Sequence, residues 1–363
     1  MRVGVNATSL TDRPSGAKQR FIGIYSNLIS AHPEINFNIY EAQGVSVEKI
    51  LGTYKNVEYV QTPISNGNKF LKYLKSKIFW FSVFRKEKFD VFDSLNLPVF
   101  CPNNARSILT IHDIRYIYSG FWSWFNKFVL KTALRRANIV VTVSDAMRKE
   151  ILRFYPKAKV KVIYNGIDIK LFREKSLKKI DFCEKYNIPN DFILAVGHLE
   201  KRKNYSRLID AMHTLRLKNQ RHCLVIVGND SGERERLNQK LLDLNLSNQV
   251  FILENLSDSD LVAAYQAAQC LVFPSIYEGF GIPVLEAMAA SLPIVMSDIE
   301  VFREITEGEG HYFSPYDSEC MARNIEKLLQ SNQDKMRSVV YGEARVNFFD
   351  YKNLSKDYVR TYY

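Results

Sequence analysis

No apolar run in this chain approaches the roughly 18 residues that a membrane-spanning helix needs. Its five cysteines (Cys101, Cys183, Cys223, Cys270, Cys320) are odd in number, scattered and without a Cys-x-x-Cys pair. That argues against a disulfide framework and a structural zinc, and for a reducing compartment. The opening residues, Arg2-Val-Gly-Val-Asn6, read as a first strand and hold no secretory leader core. Tandem repeats and low-complexity tracts are missing, and so is any Ser-His-Asp or catalytic-cysteine arrangement. A cytoplasmic enzyme with no covalent staple is expected.

With 363 residues, the chain is too long for one ordinary core, so two domains are expected. Its 46% hydrophobic and 25% charged content suits a folded protein. The net charge of +11 is lopsided. Residues 1–170 hold 26 Lys/Arg and 12 Asp/Glu, a balance of +14, whereas residues 171–363 hold 24 and 27, a balance of −3. A strongly basic half predicts an anionic partner surface.

Strand-length apolar runs alternate with helical patterns twice. In the first half, Val3–Val5, Phe37–Tyr40, Val91–Phe92, Ser107–Ile111 and Ile139–Val143 read as strands, with helices at Phe21–Ser30 and Phe125–Arg136. In the second half the strands are Phe192–Val196, Leu224–Val227, Val250–Leu253, Leu271–Phe273 and Ile294–Met296. The helices between them are Tyr205–Leu217, Glu233–Leu242, Asp258–Ala267 and Val284–Ala290. This alternation predicts an α/β fold of two doubly wound parallel sheets. The break falls at the Asn-Gly turn of Tyr164-Asn-Gly-Ile-Asp168. We therefore expect domains at 1–166 and 167–347.

Residues 69–88 carry seven Lys/Arg and one Glu interleaved with six aromatics. They read either as a surface helix with snorkelling lysines or as an interfacial helix on an anionic membrane. Phe121-Trp-Ser-Trp-Phe125, followed by Lys127, Lys131, Arg135 and Arg136, would extend that patch.

The densest chemistry lies in Tyr277-Glu-Gly-Phe-Gly-Ile-Pro-Val-Leu-Glu-Ala-Met-Ala289. Two carboxylates, Glu278 and Glu286, flank a bare glycine loop that follows the strand Cys270–Phe273. Gly279 and Gly281 let backbone N–H groups approach a ligand, and Pro283 suits the first helical position. Glu286 is expected in the first helical turn. A strand, a bare loop and a helix start together aim peptide dipoles at phosphate. The expected ligand is phosphorylated and rich in hydroxyls.

On these residues the chain resembles the retaining glycosyltransferases of family four, whose glutamate-x7-glutamate motif matches Glu278 and Glu286. Val196-Gly-His-Leu-Glu-Lys-Arg-Lys-Asn204 with Leu208-Ile-Asp-Ala211 is similar to the family's next signature. Leu224–Gly228, Ser257–Leu261, Phe273-Pro-Ser275 and Leu292–Ser297 follow in the family's order. Gly16, Ile111-His-Asp113, Val143-Ser144 and Asn165–Asp168 match first-half landmarks. The resemblance implies a GT-B fold, two Rossmann-like domains facing across a cleft, with residues 348–363 returning to the first.

The resemblance also implies roles. His112 would contact the transferred sugar, and Glu278 would sit near its hydroxyls or balance charge during cleavage. Gly16, His198, Arg202, Lys203, Gly279, Phe280, Gly281, Ile282 and Glu286 would hold the nucleoside diphosphate sugar. Glu286 suits a ribose diol, and Arg202 and Lys203 suit the diphosphate. Asp113 would fix the imidazole or face the acceptor, while Lys18 and Arg20 point to a phosphorylated acceptor. His198 and Glu254 depart from the family pattern, which bears on one phosphate contact and on the base.

The first-half details look most like bacterial mannosyl- and rhamnosyltransferases of surface-polysaccharide and O-antigen assembly. The expected acceptor is a glycan or polyprenyl-diphosphate-linked glycan at the inner face of the membrane. No metal and no cofactor are expected. Asp258-Ser-Asp260 spells a metal-binding Asp-x-Asp, yet Ser257 ahead of it makes a helix cap. Gly279-x-Gly281-x-x-Val284 lacks the third glycine of a dinucleotide site, so NAD is not expected. Two other readings compete: a sugar-nucleotide epimerase of the same fold, and a basic nucleic-acid-binding protein. The second lacks a recognition element, so no nucleic-acid partner is expected.

Overall fold

The computed structural model describes the chain apart from residues 12–14, 66–68, 96, 98–101, 103, 119–122, 175–178, 219 and 221, and describes only the backbone at 69–74 and 179–181. The chain divides into two compact units, Met1–Gly166 with Tyr351–Tyr363, and Ile167–Asp350. The second unit thus runs three residues past the expected 347. Val346–Phe349 forms a short helical turn in it, and Ile167 N–H donates to the Phe349 carbonyl at 3.0 Å.

The first unit holds strands β1 (Arg2–Ala7), β2 (Asn36–Glu41), β3 (Val57–Gln61), β4 (Val91–Ser94), β5 (Arg106–Ile111), β6 (Ile139–Thr142) and β7 (Val160–Val162). They form one parallel sheet ordered β3-β2-β1-β4-β5-β6-β7. Its helices are α1 (Gly16–Ala31), α2 (Val47–Leu51), α3 (Lys69–Lys86), α4 (Ser123–Arg136) and α5 (Asp145–Phe154). Edge strands β3 and β7 were not expected. Val-Glu-Tyr-Val-Gln and Val-Lys-Val interleave charge with apolar residues and are half exposed, so neither forms an apolar run.

The second unit opens with helices α6 (Ile169–Arg173) and α7 (Lys179–Tyr186). Its strands are β8 (Phe192–Val196), β9 (Cys223–Val227), β10 (Val250–Leu253), β11 (Cys270–Phe273), β12 (Ile294–Ser297) and β13 (His311–Phe313), ordered β10-β9-β8-β11-β12-β13 and all parallel. Between and after them lie α8 (Tyr205–Leu217), α9 (Arg234–Asp243), α10 (Asp258–Ala267), α11 (Ile282–Ala289), α12 (Glu300–Ile305), α13 (Ser318–Gln330) and α14 (Asn332–Arg345). In both sheets the strand order reverses beside the first strand of the unit. Such switch points open crevices at strand C-termini.

The returning helix α15 (Tyr351–Val359) packs along α1. Gly23 makes that approach possible, because a Cβ there would overlap the Tyr351 ring. Val91 and Phe92 of β4 point to opposite faces of the sheet. Val91 joins a core with Phe21, Tyr25 and Tyr358, whereas Phe92 joins Trp80 of α3. Helices α1 and α15 therefore cover one face and α3 the other. Right-handed crossovers put α4, between β5 and β6, on the α3 face.

Asp93 of β4 is fully buried. Its Oδ2 accepts from the hydroxyls of Tyr25 at 2.6 Å, Tyr358 at 2.8 Å and Tyr362 at 3.4 Å. Burial raises this carboxyl to about 6 despite those donors.

Candidate functional site

In the second unit β8 pairs with β11, so the loops that follow them are neighbours at one sheet edge. Gly197 closes β8 at φ +141, and a Cβ there would lie 2.7 Å from Lys203 Cε. Only glycine lets Lys203 fold back under the strand. Lys201–Lys203 forms one tight turn, and Asn204 follows in the left-handed region at φ 62. The Asn204 amide donates to the carbonyls of Pro274 at 3.0 Å and Pro315 at 2.8 Å. Ile276 N–H donates to the Arg202 carbonyl at 2.9 Å. The Arg-Lys-Asn loop is thereby fastened to the loop after β11, and Asn204 is the fastener rather than a ligand group.

That fastening brings the charges together. Lys203 Nζ lies 2.8 Å from Glu278 Oε1, and Arg202 Nη1 lies 2.5 Å from Glu278 Oε2. Arg202 Nη2 also meets Glu200 Oε1 at 2.5 Å, and Ser275 Oγ donates to Glu278 at 2.8 Å. Lys203 Nζ rests over the Phe273 ring, 4.7 Å from its centroid. Burial pushes Glu278 upward, but Lys203 and Arg202 outweigh it and hold the carboxylate below its ordinary range. Burial also pulls the Lys203 ammonium below its ordinary value, opposed by Glu278. Two cations thus face one shared carboxylate in a place poor in water. An arriving diphosphate would take over that pairing.

Glu286 departs from expectation. It is the fifth residue of α11, beyond the first turn, and is 4% exposed. Its Oε2 accepts from the Tyr265 hydroxyl of α10 at 2.5 Å. The helix dipole therefore does little to hold it there; Tyr265 orients it. The helix begins at Ile282 with Gly281 as its cap, and Pro283 is second. Gly281 serves packing as well as access, since a Cβ there would stand 3.0 Å from Phe302 Cε1. Phe280 is buried with its ring 5.9 Å from that of Phe349, so it offers a ligand only backbone. His198 is exposed, Gly279 lies in the loop between the two carboxylates, and Ile282 is half buried.

The Asp-x-Asp segment and Glu254 both have structural partners in the second unit. Ser257 caps α10 by accepting from Asp260 N–H, and the Asp260 carboxylate takes both Lys185, at 2.8 Å, and the Tyr186 hydroxyl, at 3.0 Å. Glu254 accepts from the Asp230 N–H at 2.8 Å and pairs with Arg234 at 3.2 Å, fixing the loops after β9 and β10.

In the first unit, Gly16 is the first residue of α1, which starts five residues before the expected Phe21 and is capped by Ser15. Lys18 is half buried in the first turn, and its N–H donates to Ser15 Oγ at 3.2 Å. His112 follows β5 directly, and burial beside Arg20 pushes its imidazole down to about 3, so it is neutral. Asp113 does not fix that imidazole; its carboxylate is held by Arg115 at 3.3 Å. Arg20 is buried and points inward, with Nη1 donating to the Tyr164 carbonyl at 2.5 Å and to Asn165 Oδ1 at 3.2 Å.

Tyr265 carries no motif signal, because it meets Glu286 only through the packing of separate helices. Ser275 and Glu200 stand inside the quoted motifs, close in sequence to their partners Glu278 and Arg202, but their spacing alone assigns them no role.

The family model described as Glycosyl transferases group 1 matches residues 178–345, and that described as Glycosyltransferase Family 4 matches residues 39–171. The O-antigen chain mannosyltransferase RfbU of Salmonella typhimurium is 35% identical over 228 residues, covering 61% of this chain and 61% of that protein. The chain thus matches about three fifths of that relative's length. The O-antigen chain mannosyltransferase B of Escherichia coli is 27% identical over 267 residues, 71% and 70% of the two chains. Among solved structures, Anabaena HepE in complex with UDP and glucose superposes with a TM-score of 0.78 at 20% identity, covering 99% of each chain. WaaG, a glycosyltransferase involved in lipopolysaccharide biosynthesis, does so with 0.75 at 15% identity over 99% and 98%. With two parallel Rossmann-like units and both models matched in order, the chain has the GT-B fold and belongs to the group 1, family-four glycosyltransferases.

Proposed function

We propose that this chain is a retaining hexosyltransferase that moves mannose from a nucleoside diphosphate sugar to a hydroxyl of a glycan, free or linked to polyprenyl diphosphate, in surface-polysaccharide assembly. One observation carries the donor assignment: the buried Arg202–Glu278–Lys203 cluster, with Glu286 eight residues on and oriented by Tyr265. The relatives' printed activities support mannose and O-antigen assembly.

In this reading the diphosphate displaces Glu278 from Arg202 and Lys203, which then stabilise charge as the C1–O bond breaks. The acceptor oxygen bonds to C1 on the same face, and its proton passes to the departing phosphate oxygen. Glu278, freed, faces the sugar, and Glu286 accepts from the ribose diol. The reaction needs no protein nucleophile, and neither a metal nor a cofactor enters it.

The first unit supports work at an anionic membrane face. On α4 the exposed stripe Trp124, Phe128, Lys131, Arg135 runs at helical spacing, and on α3 Ile78 and Phe81 are exposed beside Lys77 and Arg85. Phe121 and Trp122 lie outside the described residues. Among the described residues no helix is long and apolar enough to cross a membrane.

Thermal shift with UDP-, GDP- and dTDP-sugars, followed by NMR of the product's anomeric centre, tests the proposal. An inverted linkage overturns retention. An epimerised sugar nucleotide formed without acceptor overturns the transferase reading.

A further inference from the structure

The first unit holds a buried cation and a buried carboxylate on one tyrosine. Asp93 of β4 turns its Oδ2 to three tyrosine hydroxyls, while its buried Oδ1 has no hydrogen-bond partner. Arg20 of α1 is 3% exposed, and its Nη1 donates to the Tyr164 carbonyl and to Asn165 Oδ1, neither of which supplies a negative charge. Tyr358 of α15 joins the two. Arg20 Cζ lies over its ring, 5.9 Å from the centroid, and its hydroxyl donates to Asp93 Oδ2 at 2.8 Å. A buried charge needs an opposite one nearby, and here the C-terminal helix carries the link.

Asp93 is faced from α1 by Tyr25 and Arg20, and from α15 by Tyr358 and Tyr362. On the neighbouring strands Val5 and Ile108 stand beside it. Burial raises its carboxyl to about 6, so at neutral pH it is ionised at some expense to stability. An asparagine would accept from the same hydroxyls without that expense. A perturbed acid kept beside a crevice is a candidate for function.

Such a crevice is close by. Arg20, Tyr25 and Tyr358 line a cavity of about 70 Å³ together with Leu95, which follows β4, and His112, which follows β5. It opens near the point where the strand order reverses between β1 and β4, the place where doubly wound sheets take their ligands. His112 is neutral, so among the described lining residues Arg20 is the one charged group. Asp93 stands behind that wall.

We infer that Asp93 is a positioning residue for the transfer reaction: ionised, it offsets the Arg20 charge through Tyr358, so that positive charge developing on the sugar ring meets a nearly neutral wall. Glycosyl transfer passes through an oxocarbenium-like state, and an unbalanced buried cation beside it raises the barrier. The inference rests on the proposed transferase reading, in which Arg202 and Lys203 of the second unit take the charge of the departing phosphate. The balance is lost when Asp93 takes up a proton.

The test is the dependence of kcat on pH for the full chain, from about pH 5 to about pH 8, with KM followed in parallel and with whichever nucleotide sugar supports transfer. Native kcat should fall about tenfold as pH drops through about 6, with KM for the donor unchanged. Asp93→Asn should be flat with pH and as slow as the native protein at the acidic end. Tyr358→Phe keeps the ring beneath Arg20 but removes one donor to Asp93, so its limb should move about one pH unit upward. That variant carries the test if Asp93→Asn does not fold. A packing role alone would lower kcat without moving the limb. A limb that persists in Asp93→Asn, a limb left in place by Tyr358→Phe, or an Asp93→Asn rate equal to native at the alkaline end overturns the inference. Absence of transfer with every sugar nucleotide overturns the transferase reading and this inference with it, whereas native transfer that is flat with pH overturns this inference alone.

Discussion

Lys203 and Glu278 stand 2.8 Å apart at the ends of two adjacent strands, so the signature cation and the first carboxylate of the glutamate motif neutralise each other before any ligand arrives. The pairing stabilises the two loops that carry it, and in the proposed reaction the donor's diphosphate replaces Glu278 in it. Removing Glu278 leaves the buried Lys203 ammonium without its carboxylate, while Arg202 keeps only Glu200. Glu278→Ala should therefore destabilise the protein by about 3 kcal/mol in urea unfolding. Saturating nucleoside diphosphate should restore more stability to this variant than to the native chain; equal gains would sink the idea that ligand and Glu278 compete for the same cations.

The Tyr265 hydroxyl is the donor that orients Glu286. Tyr265→Phe keeps the ring and removes that bond, leaving a buried acceptor short of one partner. We expect a stability loss of about 1–3 kcal/mol, read by chemical unfolding, and weaker nucleotide binding, read by calorimetry. Unchanged nucleotide affinity would show that Glu286 needs no help from α10.

Asp93 makes a pH prediction with a definite sign. Its folded value, about 6, lies above its ordinary 3.8, so between these values the folded state holds a proton that the unfolded chain has lost. Stability from this group is therefore present at low pH and is lost as pH rises through about 4 to 6. Asp93→Asn should abolish that slope. Relative to native, the variant should gain about 2 kcal/mol between the acidic and alkaline ends of the window, measured by urea unfolding at each pH. Parallel curves for the two proteins would refute the assignment.

Membrane contact through α3 and α4 predicts salt-sensitive binding to vesicles of phosphatidylglycerol but not of phosphatidylcholine. Trp124→Ser with Phe128→Ser, both sites being exposed, should reduce co-sedimentation without altering nucleotide affinity. Lys131→Glu with Arg135→Glu should do the same. Binding that ignores both pairs would remove the membrane face from the proposal.

How much of this was readable in the sequence depends on the kind of contact involved. Apolar strands such as Phe192–Val196 and Cys270–Phe273 stood out because both of their faces are buried. Strands β3, β7 and β13, at sheet edges and three to five residues long, did not, because half-exposed strands carry polar residues. Helices α5, α13 and α14 were passed over although Ser144, Asp317 and Ser331 cap them. The motif carboxylates were visible from spacing, but their partners were not. That Glu278 meets Lys203 follows from β8 lying beside β11, and that Tyr265 meets Glu286 follows from α10 lying near α11. Neither is a local property of the chain. The resemblance leaves Asp113 either to fix the His112 imidazole or to face the acceptor, and in the fold its carboxylate meets Arg115, a partner that the resemblance did not indicate.

The returning helix has a consequence for how the protein comes into being. Tyr358 and Tyr362 complete the core around Asp93, so a sheet made before the second unit is finished by residues made after it. Domains ordinarily fold from the N-terminus as they emerge during synthesis. Here Ile167–Asp350 is one uninterrupted segment, whereas the earlier-made sheet receives Tyr351–Tyr363 only after that segment has been synthesised. The first unit is thus begun before the second and completed after it.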